Sequence, residues 1–335
     1  WAFGHCSSLS SVTSYITEPF DLSSSVFTNV DNTLLYVPVG TKEAYSSKTG
    51  WGYFTIVEIQ EPEPAPDDSG VCGDGVTYAF YESTKTLTIS KTGDGSGAMS
   101  NYEWDSTPWH SYKDKIETII IEDGVATIGD NAFQNCAELS SLSIANSVVN
   151  IRSQAFYGCE KLVQFELPNS ALTIETYAFK QCYGLTSLRI PANTRMIEWG
   201  AFQYCRNISS ITVDEGNLNY DSRSGCNAVI EKSSNKLVLG CKNTIIPNDV
   251  VCIGKMGFVS PLEVSTFIIP ESVNEIAEWA FENSGISSIV IPSSVTTIGE
   301  SAFGRCKNLT KVVSNISEPF AINNNVFGKW NAETK

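Results

Sequence analysis

The sequence predicts a strand-rich α/β solenoid, with short parallel strands stacked in coils of about 23 residues and interrupted by one hairpin insertion. Three observations carry that prediction. "AFQNC", "AFYGC", "AFKQC" and "AFQYC" set Phe133, Phe156, Phe179 and Phe202 at intervals of 23 residues. The same phase resumes at Phe258, Phe281, Phe303 and Phe327, with spacings of 23, 22 and 24. Between the Phe positions, runs such as "LTSLRIP" alternate apolar and polar residues, which is strand periodicity closed by a proline.

Each coil divides into three pieces. In the first, Leu185, Leu188 and Ile190 point inward and Ser187 and Arg189 outward, and equivalent runs in the other coils build one parallel sheet at about 4.8 Å per coil. In the second, "SVTTIG" or "ALTIET" sends a Val or Leu and an Ile inward, which predicts a short second strand. In the third, Ala-Phe-x-x-Cys reads as one helical turn whose Phe and Cys both face the core. Cys136, Cys159, Cys182 and Cys205 then stack at strand spacing with parallel side chains, and the same position holds Ser284 in a later coil. That tolerance, with no His or Cys pair at zinc-ligand spacing, identifies them as small buried hydrophobes in the reduced state and predicts no metal.

Coils of the form "IPSSVTTIGESAFGRCKNLTKV" resemble the BspA-like leucine-rich repeat family of bacterial surface and secreted proteins. The resemblance implies a leucine-rich-repeat solenoid wound as a right-handed superhelix, with no catalytic residues and no cofactor. It extends to the irregular segments. The stretch around Trp109 in "PWHSY" resembles the family's amino-terminal cap, and "LLYVPVGTKEAYSSKTGWGYFTIVEI" around Tyr36 resembles its carboxy-terminal cap. The expected organisation is therefore a last repeat and carboxy-terminal cap over residues 1–60, a Pro- and acid-rich linker over 61–70, an amino-terminal cap over 71–115, and repeats over 116–335 ending in an incomplete cap. "AFGHC" at Ala2 parallels "AFGRC" at Ala302, displaced by 300 residues, so the chain reads as a fragment of a longer tandem array.

From Phe202 to Phe258 is 56 residues, one coil plus an insertion placed at about 214–246. It contains "CNAVIEKSSNKLVLGC", a hairpin turning near Ser233 and Ser234, which sets Cys226 opposite Cys241. A disulfide is one reading of that pair. Two separately buried thiols are the favoured reading, because the family's "GCKNTIIP" phrase does not require a bridge.

Composition limits what such a chain does. With 22 basic and 37 acidic residues the net charge is −15, which argues against nucleic acid and anionic membranes as partners. No run approaches the roughly 20 apolar residues of a membrane span. Of the two histidines, His5 sits at a variable coil position and His110 beside the cap Trp. "GDGSG" at Gly93 lacks the Lys-Ser/Thr and following helix of a phosphate loop and reads as a turn. No metal pair or nucleophile elbow is present either, so no enzyme is predicted.

A binding surface remains. The outward strand positions Ser141, Ser143, Gln164, Glu166, Ser187, Arg189, Ser210 and Thr212 form a mild, hydroxyl-rich face with one charged cluster at Gln164, Glu166 and Arg189. Tyr157, Tyr183 and Tyr204 fall at different offsets from their Phe, which predicts scattered surface rings and no stacking platform, while Tyr177 and Trp279 share an offset and cover an edge. The family resemblance implies a cell-surface or secreted adhesion module that binds a protein partner, such as a host extracellular-matrix or surface protein. A structural spacer presenting another domain and a glycan-binding accessory module are the alternatives.

Overall fold

The structure is a computed structural model that describes every residue except 1, 2, 4, 5, 7, 28, 29, 31, 60–64, 259–265, 324 and 329–335. Ala2 and His5 lie outside the described residues. The chain divides into two compact units, Trp1–Ala65 and Pro66–Lys335. In the first, the strands Ser11–Thr13, Leu34–Pro38 and Thr55–Ile59 form a parallel sheet in that order, and the helix Lys42–Ser46 packs Tyr45 onto it. Leu35, Val37, Tyr45, Trp51 and Phe54 form its core. The polar ends of the two large rings are satisfied: the Tyr45 hydroxyl donates to the carbonyl of Ile16 at 2.8 Å and Trp51 Nε1 to that of Phe20 at 2.9 Å.

The second unit opens with three antiparallel strands, Asp68–Gly73, Val76–Tyr81 and Thr86–Lys91, and the last of these pairs in parallel with Thr118–Ile121, which pairs with Ser141–Ile144. The sheet thereby passes from antiparallel pairing into the parallel stacking of the coils. Trp109 is fully buried, donates its indole N–H to the carbonyl of Ala132 at 3.0 Å, and stacks on Phe133 at 5.5 Å. It occupies the first rung of a ring ladder that continues through Phe156, Phe179 and Phe202 at 5.1–5.2 Å. A second ladder runs through Phe258, Phe281, Phe303 and Phe327 at 5.2–5.6 Å. Each buried Phe contributes about 1.5–3 kcal/mol by removal from water, and each ring pair about 0.5–1.5 kcal/mol more.

The predicted second strand is present as two-residue ladders: Thr127–Ile128, Asn150–Ile151, Thr173–Ile174 and Met196–Ile197 in one block, and Cys252–Ile253, Glu275–Ile276 and Thr297–Ile298 in the other. The first-piece strands do not form the single sheet expected. Ser187–Ile190 pairs with Ser210–Val213, and Thr266–Ile268, Ser288–Ile291 and Lys311–Ser314 form a separate sheet. Residues 164–167 form no strand. That coil carries Phe165 where its neighbours carry Leu142 and Leu188, and the ring stacks on Phe179 at 4.7 Å; Phe267 holds the same position in a later coil and is in a paired strand, so ring size alone does not explain the gap.

The Ala-Phe-x-x-Cys piece is not the helical turn expected. Among the described residues, helix is confined to Lys42–Ser46 and two 3-10 turns, His110–Tyr112 and Arg223–Gly225. The residue before each Cys or Ser is left-handed: Asn135 at φ 56°, Gly158 at 74°, Gln181 at 62°, Tyr204 at 65°, Asn283 at 58° and Arg305 at 57°. Backbone N–H groups that a helix would use internally bond instead to the next coil, Phe133 to Ala155, Phe156 to Ala178 and Phe179 to Ala201, each at 2.7 Å. The corner is therefore a further ladder between coils.

The hairpin forms from Ala228–Glu231 and Lys236–Gly240 and turns where expected, with Glu231 opposite Lys236. A bulge between Val229 and Ile230 then shifts the register by one residue, so Ala228 faces Gly240 and Cys226 does not fall opposite Cys241. Both thiols are free. Cys226 joins the core of the later coils, with Phe258, whereas Cys241 joins that of the earlier coils, with Phe202. The cross-strand disulfide expected as one reading is thus replaced by two thiols on opposite sides of the hairpin.

Candidate binding surfaces

All eight outward positions singled out from the sequence, Ser141, Ser143, Gln164, Glu166, Ser187, Arg189, Ser210 and Thr212, are exposed. The break in the ladder at 164–167 opens a cleft of about 410 Å³ on this face, lined by Ser143, Gln164, Phe165, Glu166, Ser187 and Arg189 among others. Arg189 spans the face, with Nη1 at 3.7 Å from Glu166 and Nη2 donating to Asp214 at 2.6 Å. The sequence did not point to Asp214, because the register partner of Arg189 is Thr212 and the guanidinium reaches two residues beyond it. These pairs lie at the surface and contribute only about 0–1 kcal/mol each to folding. His110 Nδ1 lies 3.6 Å from Asp105 with the imidazole 42% exposed. No group of three or more potential metal ligands occurs among the described residues.

A second concave surface lies at the coil corners, where the sequence predicted surface rings and an edge cover but no binding site. Tyr157 and Tyr204, expected to be scattered, converge with Tyr177, expected to cover an edge, on one cation: the Lys180 ammonium lies 5.8, 4.1 and 5.6 Å from the ring centroids of Tyr157, Tyr177 and Tyr204. Next to them Lys255 sits 4.5 Å from both Trp199 and Trp279. Tyr177, Tyr204 and Trp279 are themselves left-handed, at φ 62°, 65° and 57°. A positive φ redirects the side chain, so spacing from Phe no longer tells where a ring points. The readable signal is that Tyr157 and Lys180 share one offset in adjacent coils.

Burial sets the electrostatics of this corner. It lowers the Lys180 pKa, with Glu282 pulling the other way, and raises those of Tyr157, Tyr177 and Tyr204. Burial also raises the Glu282 pKa, opposed by Arg305 and Lys180. Each cation–ring contact is worth about 0.5–2 kcal/mol depending on desolvation.

The BspA type leucine rich repeat region family matches residues 110–230 and 229–334, in six copies. Among solved structures, a leucine-rich repeat protein from Eubacterium ventriosum ATCC 27560 is similar, with a TM-score of 0.57 at 21% identity over 74% of this chain and 72% of that one. A leucine rich cell surface protein from Faecalibacterium prausnitzii A2-165 matches with a TM-score of 0.43 at 22% identity, over 75% of this chain and 77% of that one. The pneumococcal vaccine antigen PcpA matches with a TM-score of 0.44 at 14% identity, over 76% and 72%. No match was found among curated proteins. The matched region, the 23-residue period and the stacked rings agree, and the chain belongs to the BspA-type leucine-rich repeat proteins.

Proposed function

We propose that this chain is a non-enzymatic protein-interaction module of the cell surface or secreted space, binding a protein partner through its strand face. The observation that supports this most directly is the exposed row from Ser141 to Thr212 with the Arg189 cleft at its centre. Stacked coils present such a row at regular spacing over several coils, an extended and shallow surface suited to a protein and too open for a small molecule. Hydroxyls on this face offer donors and acceptors at low desolvation cost, and Arg189 with Glu166 and Asp214 supplies charge of both signs. Its charge pattern and hydroxyl content suit a host matrix protein as an adhesion target.

Biolayer interferometry of the purified chain at physiological salt against fibronectin, fibrinogen and mucin tests the proposal, with Glu166→Ala/Arg189→Ala alongside. Saturable binding weakened about tenfold or more by the double variant is the expected result. Absence of binding at micromolar concentration would favour a spacer role.

A further inference from the structure

The coil-corner surface differs from the strand face in kind. It is a cleft of about 630 Å³ and, like the cleft of about 410 Å³ on the strand face, falls inside the range of about 300–1,000 Å³ typical of small-ligand sites; the difference lies in its lining, which combines aromatic rings with clustered cations. Two blocks of coils contribute to it across the hairpin insertion: Tyr177, Lys180, Gln203 and Tyr204 from one, and Trp279, Glu282, Arg305 and Lys307 from the other. Its described lining holds three cations against one carboxylate, in a chain whose net charge is −15.

Three groups in it are left with unmet bonding capacity or set up for a ligand. Lys180 is partly buried and bounded by rings, and its ammonium makes no hydrogen bond or ion pair among the described residues. Rings attract a cation but do not accept its hydrogen bonds as an oxygen does. Gln203 is 4% exposed, and its Oε1 has no hydrogen-bond partner, so an acceptor is left without the donor it needs. Glu282 is only 15% exposed at its side chain, and its nearest cation, Arg305, stands at 3.8 Å, long for a direct hydrogen bond.

We propose that this cleft binds a carboxylated saccharide, its carboxylate taken by Lys180 and Arg305, its hydroxyls donating to Gln203 Oε1 and Glu282, and a pyranose face lying against the rings. Each part answers one of the features above. A carboxylate supplies the acceptor that Lys180 lacks. Sugar hydroxyls supply donors to the two acceptors, which a carboxylate alone cannot do. The C–H bonds of a pyranose face meet the negative faces of Tyr and Trp rings favourably. An acidic peptide offers the carboxylate but brings few hydroxyl donors for Gln203 and Glu282, which line the cleft beside the rings. This site is separate from the strand face, so either proposal can fail alone.

Isothermal titration of the whole chain tests it, using sialyl-lactose and a glucuronate-containing oligosaccharide as probes, lactose as the neutral control and oligo-glutamate as the peptide control. The variants are Lys180→Gln, Arg305→Gln and, as a charge control on the exposed surface, Lys161→Gln. Circular dichroism melts confirm that each variant is folded. The expected result is saturable binding of at least one acidic saccharide, lactose weaker by at least tenfold, a loss of tenfold or more in Lys180→Gln and Arg305→Gln, and no change in Lys161→Gln. Equal binding of lactose, binding indifferent to Lys180→Gln and Arg305→Gln, binding of oligo-glutamate alone, or no binding at 5 mM would each overturn the proposal.

Discussion

The repeat cysteine illustrates how one residue serves two neighbours. Cys159 donates its thiol hydrogen to the carbonyl of Phe133 at 3.3 Å, Cys182 to that of Phe156 at 3.3 Å, Cys205 to that of Phe179 at 3.1 Å and Cys306 to that of Phe281 at 3.0 Å. A weak donor thus satisfies a buried carbonyl of the preceding coil, and Ser284, which replaces Cys in one coil, retains a hydroxyl there. The hydrophobe reading from the sequence accounts for the size of the residue but not for this bond. Burial pushes the Cys136 thiol up to about 12 and raises those of Cys159 and Cys182 well above the ordinary value. The thiolate is the reacting species, so these groups stay unreactive at pH 8. Thiol titration of the folded chain is expected to label the exposed Cys6 fast and Cys136, Cys159 and Cys182 only after unfolding. Unfolding without reductant should release all ten thiols; eight would restore the Cys226–Cys241 bridge.

Within one coil, the strands were legible and the corner was not. Alternation in "LTSLRIP" and the Val/Ile pairs marked both strand pieces, because a period of two leaves its trace directly in residue order. The corner's left-handed positions leave none: Gly158 announces one, but Gln181 and Tyr204 hold the same conformation with ordinary side chains. For the same reason the Tyr177, Tyr204 and Lys180 cluster was missed, whereas the eight outward positions fixed by alternation are all exposed, although Gln164 and Glu166 lie where no strand forms. The bulge at Val229/Ile230 was equally silent, since one extra residue in a strand changes no composition. At Gly158 φ is 74°, and an added Cβ would stand 2.6 Å from Asn135 Oδ1, the end of a side chain that must then shift. Gly158→Ala is expected to cost about 1–2 kcal/mol for the left-handed backbone. Urea denaturation checks this, and an unchanged midpoint would show that the corner relaxes to another conformation.

Across Pro66–Lys335, stability depends on contact between neighbouring coils, so the weakest junction sets how far cooperativity extends. That junction is the hairpin. Phe202 and Phe258 belong to separate ring ladders and separate cores, and a cavity of about 20 Å³ lined by Gln203, Val238, Gly240 and Met256 lies between them, room for about one water molecule. The two blocks stay in contact there through close packing: the Gly240 N–H donates to the carbonyl of Gly257 at 2.9 Å, and a Cβ on Gly240 would stand 2.3 Å from Phe258 Cε1. A methyl group at that point must displace a fully buried ring, an overpacking cost of about 1–3 kcal/mol. Because Phe258 heads the second ladder, the cost falls on the junction and not on either block. Gly240→Ala is therefore expected to split the unfolding of this unit into two transitions, with Trp109 reporting the earlier block and the amides around Phe281 the later one. Hydrogen exchange followed by mass spectrometry resolves the two regions. Protection that still falls together in both would mean that the coils couple through the corner ladders strongly enough to bypass the hairpin.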